Sequence, residues 1–120
     1  MIDHVCLNVS DLARSRAFYA RALAPLGYAV LHEFPGALGL GEGQKPDLWL
    51  LVRPPLHTGV HVALTCTSHA QVDAFYREAL AAGGEDHGPP GPRPQYHPNY
   101  YGAFVLDPDG NNLEAVCHKA

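Results

Sequence analysis

The chain carries an internal duplication, and this constrains its fold more than any other feature. Laid over itself at an offset of 57 residues without a gap, His4 falls on His61, Val5 on Val62, Leu7 on Leu64, Ala13 on Ala70 and Ala17 on Ala74. Phe18-Tyr19 then falls on Phe75-Tyr76, Ala22-Leu23 on Ala79-Leu80, and Gly27 on Gly84. Unrelated segments rarely share a histidine, an aromatic pair and a glycine in register, so the repeat outranks local propensity as a guide to the fold. Two copies are too few to stack as a solenoid. The expected architecture is one domain over residues 1–120, built from a first module (1–57) and a second (58–120) about a pseudo-twofold axis. A chain of 120 residues suits a single domain, at roughly 100–200 residues each.

Each module opens with a strand. In residues 3–9, Val5, Leu7 and Val9 alternate with His4, Cys6 and Asn8, and residues 60–66 set Val62, Leu64 and Cys66 against His61, Ala63 and Thr65. A helix follows in each. The first can be capped by Ser10 or Asp11 and repeats Phe18, Tyr19, Ala22, Leu23 and Leu26 before Gly27; the second can be capped by Ser68 and repeats Val72, Phe75, Tyr76, Ala79 and Leu80. The apolar strand face should pack under the helix, which turns the histidine face away from it. Further strands are expected at 28–34, 37–41 and 47–53, then near 84–87 and at 101–106 and 111–118, the last two joined by the turn Asp107-Pro108-Asp109-Gly110. The proline-rich run 88–99 reads as a stiff loop. Each module is thus βαβββ, and the fold class is α+β, with sheets curled around a shared cavity.

The symmetry aims two of the eight histidines, His4 and His61, at equivalent places on the face turned from the helices. On the last strand Glu114 lies between Leu113 and Ala115, and aligning Leu113–Val116 with Leu48–Leu51 sets it at the position of Trp49. Two imidazoles and one carboxylate form a facial set of metal ligands that leaves positions open for substrate. Taken singly, a strand histidine is ordinarily a packed residue and a strand glutamate a solvated one. Cys6 and Asn8 share the face of His4, with Cys6 read as a pocket-lining thiol. The loop brings Arg93, Tyr96, His97, Asn99, Tyr100 and Tyr101 close together; such a loop is either a binding lid or a solvated connector. His97 is the candidate acid–base group there.

Composition closes other routes. Twelve acidic against eight basic residues lack the basic footprint of a nucleic-acid-binding domain. No apolar run approaches the ~18 residues of a membrane span, and Met1-Ile2-Asp3-His4 does not read as a signal peptide. Three cysteines without CxxC spacing indicate neither a disulfide framework nor a zinc ribbon, so a cytoplasmic, reducing location is expected.

Three motifs carry a resemblance. They are His4-Val5-x-Leu7-x-Val9-x-Asp11-Leu12-x-x-Ser15-x-x-Phe18-Tyr19, then His61-Val62-Ala63, then Asp107-Pro108-Asp109-Gly110-Asn111-Asn112-Leu113-Glu114. In these the chain resembles the vicinal oxygen chelate superfamily, in particular small bacterial proteins of the glyoxalase/bleomycin-resistance/dioxygenase type. The resemblance implies one divalent metal ion (Zn, Ni, Mn or Fe) held by His4, His61 and Glu114, and a small-molecule substrate chelated through adjacent oxygens in lyase, isomerase or dioxygenase chemistry. It implies a homodimer, with Glu114 also able to move a proton. Trp49, Cys6, Asn8, Arg93, Tyr100 and Tyr101 are the candidate substrate contacts. Trp49 stands where glyoxalase I proper has a fourth ligand, which speaks for a three-ligand site unless Asp47 or a slip of register supplies the fourth. The alternative is a metal-free protein that binds or sequesters a small molecule, as in the bleomycin-resistance branch.

Overall fold

Alternation fixes the first strand, β1 (Val5–Asn8), whose Leu7 and the following Val9 are buried. The computed structural model describes all residues, 1–120. Helix α1 (Leu12–Leu23) begins at Asp11, whose carboxylate accepts from the Arg14 N–H at 3.0 Å. Ser10, the other candidate cap, instead donates its hydroxyl to Asp109 at 2.6 Å. A short 3-10 turn over Ala24–Leu26 follows, and the chain leaves it through Gly27 at φ 85°, a left-handed conformation that favours glycine. The first module is completed by β2 (Ala29–Phe34), β3 (Ala37–Gly41) and β4 (Leu48–Leu51).

The second module repeats the order as β5 (His61–Thr65), α2 (His69–Ala81), β6 (Glu85–Pro92), β7 (Tyr101–Leu106) and β8 (Asn112–Cys117). Ser68 caps α2, its hydroxyl accepting from the Gln71 N–H at 3.2 Å. Gly84, the repeat-mate of Gly27, is required for a different reason. A Cβ there would lie 2.4 Å from Val105 Cγ1 and 2.7 Å from Phe18 Cε1, so close packing of the core excludes a side chain.

The two sheets have the same topology, β1-β4-β3-β2 and β5-β8-β7-β6, each opening on a parallel pair. Register confirms the repeat: Cys6 pairs with Trp49 as Ala63 pairs with Glu114. One apolar cluster spans both modules, with Phe18, Tyr19 and Phe75 from the helices and Leu38, Leu40, Leu48, Leu50, Val105 and Leu113 from the sheets. The class is α+β with two βαβββ modules, and the sheets are not closed. No hydrogen-bonded ladder joins them, so β1 and β5 each keep an unpaired edge.

The physical reason lies in how the modules are joined. Helices α1 and α2 pack on one another, and the 107–111 turn docks on the first module: the Tyr19 hydroxyl donates to Asp107 at 2.5 Å and Ser10 to Asp109. Contact through the helices leaves the opposite face of each sheet open. One expectation is corrected here. The proline-rich run does not begin as a loop, because β6 continues through Pro89, Pro90 and Pro92. Proline lacks an N–H, yet β6 is an edge strand paired only with β7, and its register shifts around Gly88. No helix is long and apolar enough to cross a membrane.

Candidate functional site

The open face of the second sheet carries the reactive groups. Leu113 and Ala115 point into the core, so alternation turns Glu114 the other way, yet its side chain is only 1% exposed. An isolated carboxylate so far out of water would be costly, and here both oxygens are engaged. Oε1 lies 2.7 Å from Nε2 of His61, and Oε2 accepts from the Tyr100 hydroxyl. Gly102 makes room for this: a Cβ there would sit 3.1 Å from Tyr100 Cε1 and 3.4 Å from Oε2. Burial, followed by the bond to Glu114, pushes the Tyr100 phenol well above its ordinary value, so it stays a donor.

His61 is half-exposed and opens on a cavity of about 390 Å³ lined also by His87, Arg93, Tyr96, Phe104 and Asn112. Asn112 pairs with His61 in register, and its buried Oδ1 has no hydrogen-bond partner. Arg93 lies over the Phe104 ring at 5.5 Å and clips the end of β6, donating to the carbonyls of Gly91 (2.9 Å) and Pro89 (2.7 Å).

The chain brings together two of the three expected metal ligands. His61 and Glu114 meet, whereas His4 bonds through Nδ1 to Asp3 at 2.7 Å, in a separate pocket with Asp47 and Val62–Leu64. No group of three His, Cys, Asp or Glu that could hold a metal forms within the chain. In donor chemistry the His61–Glu114 pair, beside an unsatisfied amide oxygen, suits a divalent ion of the Zn, Ni, Mn or Fe kind. Asp47 lines the pocket of His4 and accepts from the Tyr28 hydroxyl, which lies 2.8 and 2.9 Å from its two oxygens.

Trp49 sits on the open face of the first sheet, between the inward Leu48 and Leu50. Cys6 and Asn8 line a cavity of about 210 Å³ with Arg53 and His57, where Arg53 Nε donates to Asn8 Oδ1 at 3.0 Å. Tyr101 turns to the helix side, donating to Asp73 at 2.7 Å and stacking on His69 at 3.9 Å, away from His61 and Glu114. His97 accepts from the Asn99 N–H through Nδ1 and meets His118 edge-on; no hydrogen bond links it to His61 or Glu114. Sequence reasoning missed Asn112, although it lies two residues before Glu114 on the same strand face. It also missed His32 and Phe34, which flank Trp49 and share the period-two spacing of β2.

The family model described as Glyoxalase/Bleomycin resistance protein/Dioxygenase superfamily matches residues 1–115. Among solved structures, a glyoxalase/bleomycin resistance protein from Albidiferax ferrireducens is 27% identical with a TM-score of 0.83, covering 96% of this chain and 96% of that one. A glyoxalase-related enzyme from Fulvimarina pelagi is 20% identical, with a TM-score of 0.76 and coverage of 98% and 87%. A lactoylglutathione lyase from Agrobacterium tumefaciens is 21% identical, with a TM-score of 0.70 and coverage of 98% and 92%. The last two likenesses are of fold. No curated protein matches the chain.

Proposed function

Because the chain belongs to the Glyoxalase/Bleomycin resistance protein/Dioxygenase superfamily, we propose that it is a metal-dependent enzyme acting on a small molecule as a homodimer. Each site would take His61 and Glu114 from one copy and His4 from a second. The observation that carries this reading is the buried Glu114 carboxylate, with His61 at one oxygen and Tyr100 at the other. The unpaired edges of β1 and β5 and the repeat equivalence of His4 and His61 support a twofold pairing of copies.

The ion would supply Lewis acidity to two adjacent substrate oxygens, in lyase, isomerase or dioxygenase chemistry. Tyr100, as a neutral phenol, fixes the direction of the Glu114 carboxylate by donating its one hydroxyl proton to Oε2. Glu114 is the proposed proton carrier. His97, on the loop that carries Tyr100, is the proposed group for exchanging that proton with solvent. Asn112 offers its unsatisfied oxygen to a substrate or water proton, and Arg93 with Phe104 walls the cavity.

Subunit mixing tests the reading. Purified without chelators, the protein should carry one divalent ion per chain, and His4→Ala and Glu114→Gln should each lose it. Mixing and refolding the two variants should restore about a quarter of wild-type metal, since half of the dimers would be mixed and each would have one intact site. No ion in the wild-type protein, with ligand binding that survives chelator, would leave the metal-free binding role instead. No recovery on mixing would place His4 outside the site.

A further inference from the structure

Two of the three cysteines meet at one end of the second sheet. The parallel ladder of β5 and β8 runs to the pair Thr65–Val116, and the next N–H, that of Cys66, donates to the Val116 carbonyl at 2.7 Å. One step further along both strands, Cys66 and Cys117 stand side by side. The alternate pairs before them, Val62–Leu113 and Leu64–Ala115, lie on the inward face, and both cysteines are buried in the shared core as free thiols. Neighbouring strands lie about 4.8 Å apart, inside the Cα separation of about 4.4–6.8 Å that a disulfide spans. No ladder pair follows, so the backbone at this end can adjust to a bridge without breaking the sheet.

A buried thiol is ordinarily a small apolar core residue. The repeat offers a comparison. Cys66 falls on Val9 at the offset of 57, and continuing the match of Leu113–Val116 with Leu48–Leu51 sets Cys117 on Val52. Val9 makes the same ladder bond, its N–H donating to the Leu51 carbonyl at 2.8 Å. Two valines therefore serve this place in one module, and two thiols in the other. Burial, and then the neighbouring Cys117 sulfur, push the Cys66 thiol up to about 11. Cys66 thus keeps its proton while the core is closed, and reacts when the strand ends open.

We propose that Cys66 and Cys117 are a site of reversible oxidation, which hydrogen peroxide converts to a disulfide tying β5 to β8. One thiol reduces the peroxide, releasing water, and becomes a sulfenic acid. The second thiol then attacks that sulfur, forming the S–S bond and releasing a second water. The two thiols give up two electrons and two protons in all, and both protons end in water. An external dithiol restores the pair by exchange. In a reducing compartment such a bond is transient and responds to oxidant. It closes the chain around α2, β6 and β7 and ties together the two strands that carry His61 and Glu114, while its sulfurs face the core. Metal binding plays no part in it, so it stands independently of the function proposed above.

The test treats the reduced wild-type protein with hydrogen peroxide, blocks remaining thiols with iodoacetamide under denaturing conditions and maps the digest by mass spectrometry. A Cys66–Cys117 cross-link should appear, lighter by two hydrogens than the reduced peptides, with Cys6 outside it and with full reversal by dithiothreitol. The melting temperature of the oxidised form should stand about 10 °C above that of the reduced one. Cys66→Val and Cys117→Val, which install the residue of the first module, should form no cross-link and show no rise, whereas Cys6→Ser should behave as wild type. Recovery of Cys66 and Cys117 unlinked, as thiols or as sulfinic acids, would overturn the pair, and so would cross-links to Cys6 alone. A Cys66–Cys117 bond that leaves the melting temperature unmoved would overturn the tie between the strands. Because the mapping is made on the wild-type chain, it decides the question even where a valine variant fails to fold.

Discussion

At equivalent positions of the two sheets stand a tryptophan and a glutamate. Both follow the same rule of register, Cys6 beside Trp49 and Ala63 beside Glu114, and both point away from the helices. Their surroundings differ. Glu114 is buried among polar partners, whereas Trp49 lies among rings over a glycine. The inward faces have both stayed apolar: Leu38, Leu40, Leu48 and Leu50 are buried in one module, and Ala103, Val105, Leu113 and Ala115 in the other. Duplication therefore kept the inward faces apolar and let the outward ones diverge, so that one open face holds a carboxylate–imidazole pair and the other a row of aromatic rings.

The strongest way to break this comparison is through the shared core. If the modules were separate folding units, damage to one would leave the other intact. Phe18 and Phe75 are both fully buried and belong to one cluster, so Phe18→Ala and Phe75→Ala should each cost about 3–5 kcal/mol. Both variants should unfold in urea in a single transition, followed by far-UV circular dichroism. Two resolved transitions, or one variant leaving half of the signal in place, would show that the modules are independent.

Much of this fold is legible in the amino-acid sequence, for reasons that differ from residue to residue. Glycine, proline and turn residues bracket the short apolar runs, so local punctuation gives β3 (Ala37–Gly41) and β7 (Tyr101–Leu106) their observed bounds. The α2 cap at Ser68 is equally local. Strand β6 escapes such a reading because its prolines are tolerated only by virtue of an edge position, and the sequence does not display which strand lies at an edge. The meeting of His61 with Glu114 follows from the repeat. The separation of His4 does not, because symmetry relates two modules without saying whether they meet through strand edges or through helices. Tyr100 stands out as a candidate substrate contact from the loop's composition alone. Its bond to Glu114 depends on how the loop from Arg93 folds back, with the Arg93 N–H donating to the Tyr100 carbonyl at 2.8 Å.

A smaller effect sharpens the contrast at the junction of modules. Tyr19 and Tyr76 are repeat-mates, but only Tyr19 is fully buried, and it crosses to the other module to donate to Asp107. Its phenol is pushed up by burial first and then by the Asp107 charge. Tyr19→Phe removes that donor from a buried carboxylate and should lower stability by about 1–3 kcal/mol. Tyr76→Phe should change it by less than about 0.5 kcal/mol, as for a surface substitution. Urea midpoints at constant slope measure both, and equal losses would show that the junction has no special part in joining the modules.

The smallest effect compares two tyrosines that serve the two sheets in the same way. Tyr28 donates to Asp47 and Tyr100 to Glu114, and for both phenols burial is the first cause of a raised value and the carboxylate bond the next. In the unfolded chain each would ionise near its ordinary value of 10.0, whereas in the folded protein each holds its proton to higher pH. The unfolded state therefore loses protons first as pH rises, and the stabilisation, complete below pH about 10, declines above it. Tyr28→Phe and Tyr100→Phe should each flatten that alkaline decline by less than about 1 kcal/mol, because both rings reach solvent and their partner charges are screened. The test is the melting temperature followed from neutral pH to above pH 10 in the two variants and the wild type. At neutral pH Tyr100→Phe should also free the Glu114 carboxylate and weaken metal binding, while Tyr28→Phe leaves it unchanged. Matching losses of metal in both variants would mean that the two faces are less different than their geometry indicates.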